Sequence, residues 1–280
     1  MNMIPNSPRH FRFAALLLLA SGGLTLSARE TAVLSDNFSR TSPEEATASI
    51  RSGTSWYGFT QGGGKLPSAK EVDVNGDTVR VLEFSAQSQQ TLIAAAFSTV
   101  ELKQPGDYIQ LSVDYRYLYP LKGTSPAFVV GLYDSKGAPL VSGDLRKDLD
   151  PTGATASHHA GYRLAKLPTD LADDLQLDQV TGLGVPFPQN KIDKASSGLT
   201  LAPREMHRMT LRITLEEGGT LTFNYGVDGV FQKYSATAPM NVKVTCFNEV
   251  SICPLGRGFE RGGANFYIQL GKVNVVRGER

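Results

Sequence analysis

Period-two alternation runs through most of the chain. In GDYIQLSVDYRYLYP (106–120), Ile109, Leu111, Val113, Tyr115 and Tyr117 fall on one face of an extended segment. Tyr108, Gln110, Ser112, Asp114 and Arg116 fall on the other. Successive side chains of a strand point to opposite sides, so this pattern predicts a strand with one buried face. From His207 to Ala236 the alternation repeats: Met209, Leu211, Ile213 and Leu215, a Glu216-Glu217-Gly218-Gly219 turn, then Leu221, Phe223 and Tyr225. Asp228-Gly229 and Asn75-Gly76 are hairpin tips, because a two-residue turn needs residues that accept positive φ. Further strands are expected at 91–101, 127–134, 241–246 and 265–276. Helical periodicity is scarce. Many strands joined by short turns predict an all-β antiparallel sandwich of two sheets.

Two stretches depart from this rhythm. Residues 142–205 are rich in Gly, Pro, Asp and Ser, with one short helix expected in PTDLADDLQ (168–176). Their apolar content is thin, so they read as a loop-rich insertion draped over the sandwich, not as a second domain. The N-terminus is the other. Arg9 and Arg12 precede an apolar run, Phe13–Ala20, and then small residues, the layout of a secretory signal peptide over 1–28 with one domain over 29–280. The run is too short to span a bilayer, and no second apolar segment follows it, so no transmembrane segment is expected after signal removal. Secretion or a periplasmic location is the expectation.

Charge narrows the partners. The 28 basic and 27 acidic residues nearly cancel, and loss of Arg9 and Arg12 with the signal leaves 26 against 27. A nucleic-acid partner is not expected, because such binding needs a basic surface. Cys246 and Cys253, the only cysteines, stand in CFNEVSIC and read as a disulfide closing a short loop in an oxidising compartment; a zinc site would need more ligands than are nearby.

Several segments together resemble the concanavalin A-like lectin/glucanase superfamily, especially the laminin-G-like domains of secreted bacterial proteins. They are LSDNFSR (34–40), FSTVELKQPGDYIQLSVDYR (97–116), FVVGLYDSKGAPL (128–140), HRMTLRITLEEGGTLTFNYGVDG (207–229) and FYIQLGKVNVV (266–276). The resemblance implies a two-sheet jelly roll with first and last strands adjacent and a concave sheet face on which members often bind glycans. It also makes a structural calcium ion plausible near the chain ends, where Asp36 and Asn274 could supply oxygens. It does not settle activity, since that superfamily holds lectins, hydrolases, lyases and adhesion domains.

Catalytic patterns are weak. EVDVNGD (71–77) places Glu71 and Asp73 on one face, but Gly76 stands where a third acid of a glucanase-type strand would be. YIQLGKV (267–273) has the wrong spacing for an alginate-lyase strand. His158-His159 read as a solvated loop, His207 as a sheet-edge residue, and no G-x-S-x-G is present. No catalytic residue is therefore assigned. The leading expectation is a secreted, non-catalytic module binding a polysaccharide, a cell-surface glycan or another surface partner. Its candidate residues are Gln110, Asp114, Arg116, Arg212, Asn224 and Gln269 on the outward face of the larger sheet. A carbohydrate-active enzyme built from the insertion, and a structural cell-envelope or adhesion domain, are the alternatives. In SGTSWYGFTQGGG (52–64), Trp56 is expected to pack into the core and Tyr57, on the opposite side of the strand, to reach the rim of the site.

Overall fold

The computed structural model describes residues 29–38, 50–52, 54–60, 65–85, 91–118, 128–136, 159–167, 174–181, 190–196, 198–236, 243–254 and 268–280. The signal-peptide segment lies outside them. The described residues form sixteen strands: β1 (Arg29–Asp36), β2 (Ile50–Ser52), β3 (Thr54–Thr60), β4 (Ser68–Val74), β5 (Asp77–Phe84), β6 (Thr91–Glu101), β7 (Tyr108–Tyr117), β8 (Phe128–Asp134), β9 (Ala160–Lys166), β10 (Leu175–Thr181), β11 (Asn190–Ala195), β12 (His207–Leu215), β13 (Leu221–Val227), β14 (Val230–Ala236), β15 (Cys246–Pro254) and β16 (Ile268–Glu279). They pair into two eight-stranded antiparallel sheets. Sheet A has the order β14-β13-β12-β7-β16-β5-β4, with β1 also on β16; sheet B has the order β11-β10-β9-β8-β15-β6-β3-β2. The expected sandwich is present, and the first and last strands are neighbours as the resemblance implied. Neither sheet is the larger.

The alternation decides what lies between the sheets. Ile109, Leu111, Val113 and Tyr115 of β7 and Leu211, Ile213, Phe223 and Tyr225 of β12 and β13 meet Phe128, Val130, Leu132, Tyr162 and Leu164 of sheet B in one buried cluster. Aromatic rings cross the gap: Tyr162 meets Phe223 edge-on at 4.9 Å, and Tyr115 meets Phe128 at 4.9 Å. Both hairpin tips adopt the positive φ their sequences require, at Asn75 and Gly76 and at Asp228 and Gly229.

Trp56 is fully buried, as expected. It also donates its indole N–H to Asp36 Oδ2 at 3.0 Å, while Asp36 Oδ1 accepts the Phe38 amide at 2.7 Å. Asp36 belongs to sheet A and Trp56 to sheet B, so this carboxylate ties the two sheets together. Phe38 packs on Trp56 with ring centroids 5.7 Å apart. The same geometry corrects the expectation that Asp36 and Asn274 together hold a calcium ion. Asp36 pairs with Val273, and Asn274 with Ser35; side chains one step apart on a strand point to opposite faces. Asp36 and Asn274 therefore do not converge, and the Asp36 carboxylate already serves two donors. No group of three metal-binding side chains occurs among the described residues.

Three further expectations are corrected. Cys246 and Cys253 are free thiols at the two ends of β15. Seven residues of extended chain span roughly 20 Å, whereas a disulfide needs Cα atoms about 4.4–6.8 Å apart. Burial pushes the Cys253 thiol up to about 12. The strand expected at 241–246 instead begins at Cys246 and runs through the supposed loop. The 142–205 segment is not loop alone: it supplies β9, β10 and β11, the outer part of sheet B, and Leu175 and Gln176 of the expected helix open β10. Asp174 directly precedes that strand and is not helical, and residues 168–173 lie outside the described residues.

Trp56→Ala should cost about 3–5 kcal/mol in urea unfolding, the usual range for deleting a buried aromatic side chain. Asp36→Ala should cost about 1–3 kcal/mol, because the indole N–H is left buried without an acceptor. Wild-type stability in either variant would contradict the inter-sheet tie.

Candidate functional site

The outer face of sheet A carries a row of polar side chains set by strand register. Arg212 stands opposite Asn224 on one side and Gln110 on the other, and Lys233 is the partner of Asn224 on β14. All four lie on the side away from the core. Gln110, Arg212, Thr214, Asn224 and Phe231 line a pocket of about 310 Å³, at the lower end of the range of roughly 300–1,000 Å³ for small-molecule sites. Phe231 is 50 % exposed and, with Val230, one of the two exposed large hydrophobic residues among those described. Its strand partner is Gly226, where a Cβ would meet the Val230 carbonyl oxygen at 1.9 Å, so only glycine lets β13 and β14 close at this point.

Arg212 is braced from below. Its guanidinium carbon lies 3.4 Å from the centroid of the Tyr108 ring, an arrangement that couples the cation to the ring quadrupole and fixes the guanidinium plane. Tyr108 can lie flat because Gly278 beneath it has no side chain; a Cβ there would reach 2.0 Å from the ring. The Tyr108 hydroxyl donates to Glu30 of β1. Burial, reinforced by the Glu30 carboxylate, raises the phenol to about 12, so it stays protonated.

Three of the predicted residues, Gln110, Arg212 and Asn224, thus share one pocket. The other three from sheet A do not join it, because their polar atoms are already engaged. Asp114 receives a two-pronged ion pair from Arg208, at 2.6 and 2.9 Å, and that contact raises the Arg208 guanidinium pKa further. Arg116 is buried; it donates to Gln269 Oε1 and to the carbonyls of Asp73 and Arg204, and desolvation lowers its pKa. Gln269 passes its amide N–H on to Glu83 Oε2 at 2.6 Å, and Glu83 pairs with Lys70. This is a closed structural network. The backbone of Tyr57 pairs with Ala94 inside sheet B, and its side chain lies outside the described residues. His207 is not at a sheet edge. It starts β12 beside Tyr115 and is held by Asp228 at 2.8 Å and the Ala202 carbonyl at 3.0 Å.

Sheet B carries ionisable groups that the sequence reading did not select. On its outer face Arg163 of β9 pairs with Asp178 of β10 at 3.3 Å, and Gln176 donates to Asp178 at 2.8 Å. His159, expected in a solvated loop, is 2 % exposed and lies 3.2 Å from the fully buried Glu249, without hydrogen-bond alignment. His158 lies outside the described residues. Tyr133 lies along the same face over Gly131, with its strand partner Gly161 leaving room for the ring. Burial raises the Tyr133 phenol, against the pull of Arg163. Burial likewise raises the Asp178 carboxyl, and Gln176 and Arg163 only partly offset it. Buried charges of this kind are costly, and perturbed groups cluster at functional sites and at structural ion pairs alike. Short alternating stretches, GYRLAK and LQLDQV, were the available signal for these strands.

The raised Asp178 carboxyl fixes a sign. The folded protein holds this proton more tightly than the unfolded chain, so the contribution of Asp178 to stability is greatest below about pH 4, the ordinary carboxyl range, and is lost as pH rises through the folded value. The stability of wild type minus that of Asp178→Asn, measured by urea unfolding, should fall as pH is raised from 3 to 7. A difference that grows with pH would show that the Arg163 pair outweighs desolvation.

No family model matches the chain, and no curated protein matches it by sequence. Solved structures do match by shape. A carbohydrate esterase of the Shiga toxin-encoding bacteriophage phi24B superposes with a TM-score of 0.50 at 13 % identity, covering 89 % of this chain and 99 % of that one. The Emp47p carbohydrate recognition domain superposes with a TM-score of 0.50 at 11 % identity, covering 89 % and 95 %. At such identities the likeness speaks to architecture, and the chain has the concanavalin A-like lectin/glucanase fold.

Proposed function

We propose that this chain is a secreted, non-catalytic glycan-binding module whose site is the sheet A pocket. The observation that carries the reading is the placement of a half-exposed aromatic ring, Phe231, beside Gln110, Asn224, Thr214 and Arg212 in one open depression. A sugar ring offers an apolar face for stacking and hydroxyls for amide and hydroxyl groups, and this lining offers both complements. The bound-carbohydrate chemistry named for one structural neighbour, the Emp47p recognition domain, is compatible with such a role on this fold. Arg9, Arg12 and the Phe13–Ala20 run support export, and the near-neutral charge argues against a nucleic-acid partner. Among the described residues no helix is long and apolar enough to cross a membrane.

A second reading has its own support. Tyr133, His159, Arg163, Asp178 and Glu249 gather acid–base groups on the outer face of sheet B, and three of them come from the 142–205 segment. A carbohydrate-active enzyme could use such groups. All five are at most 4 % exposed, so a polysaccharide cannot touch them in this structure, and the binding reading leads.

A glycan array followed by product analysis on each hit separates the two. Binding without new reducing ends or unsaturated uronates is the expected result. Phe231→Ala and Asn224→Ala should each weaken binding by about ten-fold, the scale of one stacking or hydrogen-bonding contact, at unchanged melting temperature. Product formation would favour the enzyme, and an array with no hit would favour a structural domain.

A further inference from the structure

We infer that the sheet A pocket selects sugars bearing a carboxylate, uronic-acid units of an acidic polysaccharide, with Arg212 as the group that grips the carboxylate. The inference rests on the glycan-binding reading of the same pocket and goes beyond it by naming the ligand class.

Among the described residues Arg212 is the only charged one that lines the pocket. The nearby carboxylates are engaged elsewhere: Glu30 accepts from the Tyr108 hydroxyl and Asp114 is held by Arg208. Among the described residues Arg212 makes its contact with a ring face, not with an acid. A cation held this way stands out on a surface where the two other outward arginines of the central strands, Arg116 and Arg208, both donate to oxygen acceptors of the protein. Tyr108 covers one face of the guanidinium and leaves its N–H edges free. Those edges form a fork that matches the two oxygens of a carboxylate. Binding there breaks no existing ion pair. Lys233, exposed and in register with Asn224 on the same face, adds positive potential beside the pocket. Gln110 and Asn224 flank Arg212 in the row and can take the ring hydroxyls, with Phe231 as the apolar wall. A neutral sugar would leave the guanidinium facing the ligand without an anion.

The direct test compares each uronate oligomer with its methyl ester, which keeps the sugar and removes the charge. The full chain would be titrated calorimetrically with oligogalacturonate, oligoglucuronate and oligomannuronate, each as acid and as ester. At least one acid should bind ten-fold or more tighter than its ester, with the preference shrinking at high salt. Arg212→Gln should abolish the preference, and Arg212→Lys, which keeps charge but loses the fork, should weaken it by about ten-fold. Should Arg212→Gln fail to fold, the wild-type acid–ester ratio and Arg212→Lys decide. Equal binding of acid and ester, with loss in Phe231→Ala, overturns this inference and leaves the glycan-binding reading standing. An acid preference that survives in both Arg212 variants overturns it too, as does binding of sulfated dextran without binding of any uronate. Absence of binding to every saccharide overturns both.

Discussion

A strand in a two-sheet sandwich can give only every second side chain to the core, and this constraint organises the molecule. The inward halves of β7, β12 and β13 are hydrophobic apart from His207 at the start of β12 and fuse with those of β8 and β9 into one core. That burial, at roughly 25 cal/mol per Å² of apolar surface, sets the register of every strand, because a slip by one residue would turn the apolar set outward. Once the register is fixed, so is the order of the outward residues. Gln110, Arg212 and Asn224 stand in a row because Leu111, Leu211 and Tyr225 must pack beneath them.

The two outer faces use this freedom differently. Sheet A leaves an open depression with amides, one braced guanidinium and an exposed ring, groups that a polar ligand can reach without displacing protein. Sheet B buries its outward charges, so Arg163 and Asp178 satisfy each other and His159 faces Glu249. A buried pair of that kind gives little net stability but is costly to break. The contrast is why the proposed binding function looks to sheet A and treats sheet B's charges as structural.

Much of this was legible in the sequence because the alternation is strict where strands are long. β7, β12, β13 and the hairpins at Asn75-Gly76 and Asp228-Gly229 could be read residue by residue, and with them half of the candidate face. Legibility failed where strands are short or where a chemical signal competed. β9 and β10 offer only Tyr162, Leu164, Leu175 and Leu177 as inward markers, too few to stand out among glycines and aspartates. β15 is hidden by its cysteines: CFNEVSIC reads as a staple although Phe247, Val250 and Ile252 line the core. The candidate list failed at Asp114, Arg116 and Gln269 for another reason. Alternation tells which face a side chain takes, not whether a distant residue such as Arg208, Arg204 or Glu83 has already claimed it.

The central claim is that ligand binding occurs on the outer face of sheet A. An amide and side-chain NMR titration of the isotopically labelled chain with a bound oligosaccharide tests it most directly. The account predicts shifts confined to Gln110, Arg212, Thr214, Asn224, Phe231 and their strand neighbours, with Arg163 and Glu249 unmoved. Shifts centred on β8, β9 and β15, with the β12–β14 face silent, would contradict it.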